Sequence, residues 1–151
     1  MRKITFKSNY KKEYPEICFD YNHQLTLISN LYLNNDFDYK EDICRFIKHK
    51  LNSYQQQDLK QKRDTLNISY DDTIEKLLKC KLKCYYCKHS VNVFYKLPRD
   101  KSQWTLDRID NSINHSKDNV VISCLGCNIK RGKKNSQDFL SGTQLQVVKS
   151  I

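Results

Sequence analysis

Cys84-Tyr85-Tyr86-Cys87 and Cys124-Leu125-Gly126-Cys127 are the residues whose type and spacing most directly imply chemistry. Each is a C-x-x-C knuckle, and a two-residue spacer lets both sulfurs face one ion. Four thiolates at about 2.3 Å around a tetrahedral cation make the usual structural zinc site. Two matched pairs in one short chain therefore predict bound zinc at Cys84, Cys87, Cys124 and Cys127. The competing reading is buried free thiols, which suits the isolated Cys18 and Cys44 but not matched pairs. A redox C-x-x-C normally occurs once, near a βαβ pattern that this sequence lacks. Cys80 and His89 are secondary candidates for the same ion. Met1 to Lys12 has no apolar core of a secretory signal. Seven cysteines then suggest thiols and metal ligands in a reducing, intracellular compartment, cytoplasm or nucleus.

Between Cys87 and Cys124 lie 36 residues, more than the roughly 15–20 of a simple zinc ribbon. Zinc is thus expected to clamp the base of a larger inserted unit. The insertion reads as strand, loop, strand, helix. Gln103 to Asn111 leads into the polar loop Ser112 to Asn119, which holds His115. Val120-Val121-Ile122-Ser123 is a strand by composition. Asn128-Ile129-Lys130-Arg131 starts a helical turn that Gly132 ends. Taken singly, Asp107 would be a turn former and Asn128 a helix cap.

These residues need elements to hold them. Ile43, Phe46, Ile47, Leu51 and Tyr54 fall on one helical face, predicting a helix over residues 40–63. Lys48, Lys50 and Lys60 to Arg63 make the other face polar. Ser69, with Asp72 three residues on, predicts a capped helix entry. Leu25 to Leu33 fits a short helix or strand, broken at Asn34-Asn35-Asp36. Arg2 to Lys7 alternates like a short strand. Asn135 to Leu140 reads as a capped closing helix, with a terminal strand at Val147 and Val148. No Gly/Pro linker separates the halves, so they are expected to pack together. The expected fold is α+β, with a mainly helical extension over 1–79 and a zinc-bearing domain over 80–151.

Leu106-Asp107-Arg108-Ile109-Asp110-Asn111, then His115, then Asn119-Val120-Val121, then Cys124-x-x-Cys127-Asn128-x-x-Arg131-Gly132, resembles the HNH endonuclease superfamily, the ββα-metal nucleases. The likeness covers residues 84–140 and is greatest to the zinc-stapled proteins of phages and giant viruses. It implies a ββα-metal core and assigns roles by position. Asp107 and Asn128 would hold a catalytic Mg²⁺ or Mn²⁺. Asn119 would brace the loop, and the four cysteines would be the staple. A carboxylate and an amide oxygen suit such hard cations, which stabilise charge during phosphodiester hydrolysis. The family usually has His after the Asp; here it is Arg108. Arginine stays protonated and cannot be the general base, though it could contact the scissile phosphate. His115 is the first candidate for that base, with Tyr85, Tyr86, Tyr95 and His89 behind it.

Charge points the same way. Lys and Arg number 27 against 17 Asp and Glu, a net of +10. Residues 1–79 hold +2 and residues 80–151 hold +8. A surplus of this kind suits a polyanion, nucleic acid first. Lys130, Arg131, Lys133 and Lys134 follow the ligand position and are expected to contact backbone phosphates. No run of about 20 apolar residues predicts a membrane span. The resemblance, with this charge, implies a metal-dependent endonuclease of duplex DNA. The alternative is a catalytically inactive, zinc-dependent nucleic-acid-binding protein. A homodimer stays open, since a double-strand cutter with one site per chain could pair.

Overall fold

A computed structural model describes residues 12–63 and 66–149. Three helices come first, α1 (Tyr21–Tyr32), α2 (Lys40–Lys60) and α3 (Tyr70–Lys79). Strands β1 (Trp104–Arg108) and β2 (Val120–Cys124) pair antiparallel, and α4 (Leu125–Arg131) and α5 (Ser136–Lys149) follow. This is the expected α+β mixture. The strand expected at Arg2–Lys7 lies outside the described residues.

Local chemistry sets the helix ends. Asp20 Oδ2 accepts from His23 N at 3.0 Å to open α1, and Ser69 Oγ accepts from Asp72 N at 3.1 Å to open α3. Helix α2 starts after Tyr39 without a side-chain cap, and Glu41 and Asp42 supply negative charge in its first turn. Asn135 Oδ1 accepts from Gln137 N at 2.9 Å and from Asp138 N at 3.2 Å, capping α5. Val147 and Val148, expected in a strand, lie within α5. Their β preference is a weak prior that helix context overrides.

The apolar face of α2 is the one its spacing predicts, with Ile43 and Ile47 fully buried. Lys50 departs from the expected polar face. It stands four residues after Phe46 and three after Ile47, so it shares their side of the helix. Its ammonium donates to the Trp104 carbonyl and lies 4.7 Å from the Trp104 ring centroid and 5.0 Å from that of Tyr95. Burial pushes its pKa down to about 7.

The two halves share one buried cluster, which includes Ile28, Ile43 and Leu77 from the helices and Trp104, Leu106 and Ile122 from the hairpin. Gln24 crosses between them. Its Oε1 accepts from Val93 N at 2.8 Å and Phe94 N at 3.2 Å, and its Nε2 donates to Phe94 O at 3.2 Å. Such a fully buried amide holds the irregular segment before β1, because losing it would orphan three backbone groups. Tyr14 and Phe46 meet Phe94 edge-on from the helical side, with centroids 4.9 and 5.6 Å away.

Candidate functional site

The first knuckle sits on a tight loop. Cys84 N donates to His89 O and Val91 N to Leu82 O, each at 2.8 Å, and Lys88 turns the chain at φ 63°. Tyr85 N donates to Ile122 O at 2.8 Å, which fastens this loop to the outer edge of β2. The second knuckle opens α4, with Cys124 Sγ accepting from Cys127 N at 3.4 Å. The sulfurs of Cys84, Cys87, Cys124 and Cys127 consequently lie within 4.8 Å of one another.

This donor set fits zinc. Bonds of about 2.3 Å give a tetrahedron with sulfur–sulfur edges of about 3.8 Å, and Cys87 Sγ lies 3.9 Å from Cys124 Sγ. Crowding already splits the thiols. The neighbouring Cys124 holds the Cys84 thiol down at about 4, and Cys84 in turn pushes Cys124 up. Burial pushes Cys127 up to about 12. A divalent cation would relieve this competition by taking all four as thiolates. Cys80 and His89 are not in the cluster. Cys80 Sγ instead contacts Leu77 O at 3.4 Å, and His89 is exposed. Cys18 is buried, and Cys44 Sγ meets Tyr70 Oη at 3.0 Å, as non-ligand thiols.

Register places the remaining residues. Asp107 stands opposite Val121 and Thr105 opposite Ser123, so all four point to one face of the hairpin. Helix α4 lies on that face. Asn128 Nδ2 donates to Thr105 Oγ1 at 3.1 Å, and Arg131 Nη1 donates to Asp107 Oδ2 at 2.9 Å. Asn128 and Arg131 are three apart and hence neighbours on the helix surface. Tyr86, between the cysteines of the first knuckle, donates its hydroxyl to the same Asp107 Oδ2. Burial and the adjacent Asp107 raise the Tyr86 phenol far above its ordinary value, so it stays a donor. Among the described residues, every hydrogen bond to the Asp107 carboxylate falls on Oδ2. Among the described residues the one fully buried side-chain oxygen or nitrogen without a partner is Asn67 Oδ1; Asp107 Oδ1 accepts no hydrogen bond and is not completely buried. Asp107 Oδ1 and the amide oxygen of Asn128, whose nitrogen is bonded to Thr105 on the same hairpin face, are oxygen donors of the kind hard cations take.

Asn119 braces the loop, as expected. Its Oδ1 accepts from Asp110 N at 2.9 Å, and its Nδ2 donates to Asp110 O at 3.0 Å and Asn114 O at 2.9 Å. Arg108 joins this bracing, donating through Nη1 to Asn111 O and, at 3.1 Å, to Ile113 O.

Two residues are placed otherwise than expected. His115, the candidate base, is only 3% exposed. Its Nδ1 lies 2.8 Å from Asp58 Oδ2, its backbone N donates to the same oxygen at 2.9 Å, and its ring packs tilted against Tyr54 with centroids 4.6 Å apart. Burial lowers its pKa despite Asp58, leaving it neutral at pH 7 and enclosed. A base for an incoming water needs access to that water, so His115 reads as a fastening between the loop and α2. Arg131, expected on the nucleic-acid surface, is 2% exposed. Besides Asp107 it donates to the carbonyls of Arg108, Ile109 at 3.0 Å and Lys134 at 2.9 Å. Lys130, Lys133 and Lys134 are exposed beside it.

Sequence reasoning missed Asp58, Tyr54 and the pairing of Tyr86 with Asp107. Tyr54 Oη accepts from Leu106 N at 3.1 Å, in mid-strand. Asp58 is 57 residues from His115 in sequence, so no local pattern could link them. Arg131 carried a usable signal, because its three-residue spacing from Asn128 puts both on one helix face.

No family model, curated protein or solved structure matches the chain. Among the described residues no helix is long and apolar enough to cross a membrane.

Proposed function

We propose that this protein is a divalent-metal-dependent DNA endonuclease of the ββα-metal, HNH type, stapled by structural zinc. The observation that carries the reading is the Asp107 carboxylate. It is 5% exposed, fixed through Oδ2 by Tyr86 and Arg131, and without a hydrogen bond at Oδ1, while Asn128 bonds Thr105 two residues away on the same hairpin face. A Mg²⁺ or Mn²⁺ ion held by Asp107 and Asn128 would supply charge stabilisation at the scissile phosphate. The chain's own residues do the positioning. Arg131 and Tyr86 hold Asp107 against rotation, and Thr105 orients the Asn128 amide. Asn119 and Arg108 keep the loop over β1 and β2 in one shape. Lys130, Lys133 and Lys134 supply phosphate contacts of the kind that give affinity without sequence information. Arg108 is divided between loop carbonyls and any phosphate contact. No described His is both exposed and bonded to Asp107, so solvent is the proton acceptor of this reading.

Supercoiled plasmid incubated with the protein and Mg²⁺ or Mn²⁺ tests it. Nicking is expected from wild type and lost in Asp107→Ala and Asn128→Ala. Nicking that persists unchanged in both variants overturns the assignment.

A second reading is a catalytically inactive nucleic-acid-binding protein. The Arg131–Asp107 ion pair favours it, since a carboxylate already neutralised by a buried guanidinium draws a cation less strongly. It predicts salt-sensitive DNA binding with no cleavage under any divalent metal.

A further inference from the structure

A second basic surface is lined by none of Lys130, Lys133 and Lys134. A groove of about 430 Å³ runs between α3, the first knuckle and the outer edge of β2. Lys76, Lys79, Lys83 and Lys88 line it, and no carboxylate does. Its floor is apolar, built from Val120, Val121 and Ile122. Lys76 and Lys79 are three apart on α3 and so share a face. Lys83 lies over the Tyr21 ring at 4.4 Å, and Lys88 is held by the Tyr85 carbonyl at 2.7 Å. Neither contact neutralises an ammonium. Glu75 pairs with Lys79 at 2.8 Å and Asp72 with Lys117 at 3.3 Å, surface pairs with half-exposed carboxylates that phosphate can compete with.

The groove adjoins the candidate site. Val121 in its floor is the cross-strand partner of Asp107, and Tyr85 on its wall precedes Tyr86, which bonds Asp107. A backbone lying in this groove would thus pass the edge of the hairpin that carries Asp107.

We infer that the groove of Lys76, Lys79, Lys83 and Lys88 is a track for the phosphate backbone of a DNA duplex. It is contributed jointly by helix α3 and the first zinc knuckle, and it flanks the site where Asp107 sits. The inference rests on the nucleic-acid reading above. A concave, lysine-walled channel suits a polyphosphate strand, whereas an anionic membrane is better met by a flat basic face with apolar residues projecting from it. The track explains why α3 runs into the knuckle without a linker: it places lysines from both elements on one wall.

The test is duplex binding by fluorescence anisotropy across salt concentrations, without added divalent metal, so that cleavage plays no part. Each neutralised phosphate contributes about 0.9 to the slope of log affinity against log salt. Lys76→Gln with Lys79→Gln, remote from the thiolates, is expected to weaken binding about tenfold near 0.1 M salt and to flatten the slope by about 1 to 2. Lys83→Gln with Lys88→Gln should do the same while keeping about one zinc per chain by elemental analysis. If both pairs bind duplex with wild-type affinity and slope, the inference is overturned, and lysines beside the knuckle only balance its thiolates. Unchanged duplex binding together with lost binding to phosphatidylserine vesicles would assign the groove to a lipid surface and also overturn it. Plasmid nicking separates the two claims. Nicking by wild type with an unchanged slope in the variants removes only the track, whereas neither binding nor nicking by wild type removes both.

Discussion

Asp58 and Asp107 are both buried aspartates beside an arginine, one in the helical half and one in the hairpin. Asp58 is fully buried and saturated. Arg63 Nε donates to its Oδ1 at 2.7 Å, and its Oδ2 meets Asn67 Nδ2 at 2.9 Å and the backbone N and ring Nδ1 of His115. Burial pushes its pKa up, but the His115 N–H, Arg63 and the His115 ring together outweigh that and hold it low. Among the described residues Asp107 has donors on Oδ2 alone, and its other oxygen accepts no hydrogen bond. The difference separates two uses of a buried charge. A carboxylate with donors on both oxygens fastens two pieces of chain together. One with a fixed oxygen and an open oxygen is positioned for something that arrives later. The same contrast runs through the elements around them: α2 meets the loop through a closed network, while the hairpin and α4 leave one donor face open.

The largest expected effect comes from the zinc staple, which acts on Asp107 and not on Asp58. Apparent binding of structural zinc is worth about 10–16 kcal/mol in small fingers. Cys84→Ser, or a strong chelator, should therefore unfold the knuckle and release Tyr86 from Asp107. Near-UV circular dichroism and limited proteolysis should show loss of order after residue 80, with about one zinc lost per chain. A metal-free protein of unchanged stability and spectrum would contradict the staple.

Next is the direct exchange of the two aspartates. Asp58→Ala leaves Arg63 and the His115 backbone N–H without their acceptor, and breaking a buried pair typically costs about 3–5 kcal/mol. Asp107→Asn keeps an acceptor for Tyr86 and Arg131 and should cost less, about 1–3 kcal/mol. Activity should rank in the opposite order. Asp107→Asn should abolish nicking at temperatures where it is folded, and Asp58→Ala should retain nicking wherever it remains folded. Denaturant unfolding alongside the plasmid assay reads both. A fully active Asp107→Asn would erase the distinction between the two carboxylates.

Much of this arrangement is legible in the sequence because it is local. The two C-x-x-C spacings mark the thiolate cluster, the Ser69 and Asn135 caps mark helix starts, and the Ile43–Tyr54 spacing marks the buried face of α2. Asn119 at the end of its loop is legible as well, since its partners lie within nine residues. What escapes is long-range. The Asp58–His115 contact spans 57 residues and Gln24–Phe94 spans 70. A polar residue's type does not say which distant backbone it will satisfy. Arg131 and Lys50 escape for a different reason: their charge suggests exposure, although helical spacing puts both on inward faces. Long cationic side chains bury their stems and find carbonyls at the tip.

The smallest expected effect tests whether the closed network is closed to protons as well. His115 has a lowered pKa in the folded protein, caused first by burial, while Asp58 pulls the other way and Arg108 and Arg63 add to the lowering. Unfolded, it takes up a proton near pH 6.5. As pH falls below about 6.5, the unfolded chain binds a proton that the folded chain does not, so stability must fall. The slope cannot exceed one proton, about 1.4 kcal/mol per pH unit. Asp58 adds nothing in this window, since its lowered pKa costs stability only below about 3.9. His115→Gln should therefore flatten the dependence of unfolding free energy between pH 7 and pH 5, measured by urea titration. The variant's own stability at pH 7 is a separate quantity, so a destabilised but flat variant still supports the assignment. An identical slope in wild type and variant would place the proton uptake elsewhere, and His115 would then be charged or exchangeable inside the network. In that case Asp58 would neutralise a cation much as Asp107 neutralises Arg131, and only the open Oδ1 would still set the two aspartates apart.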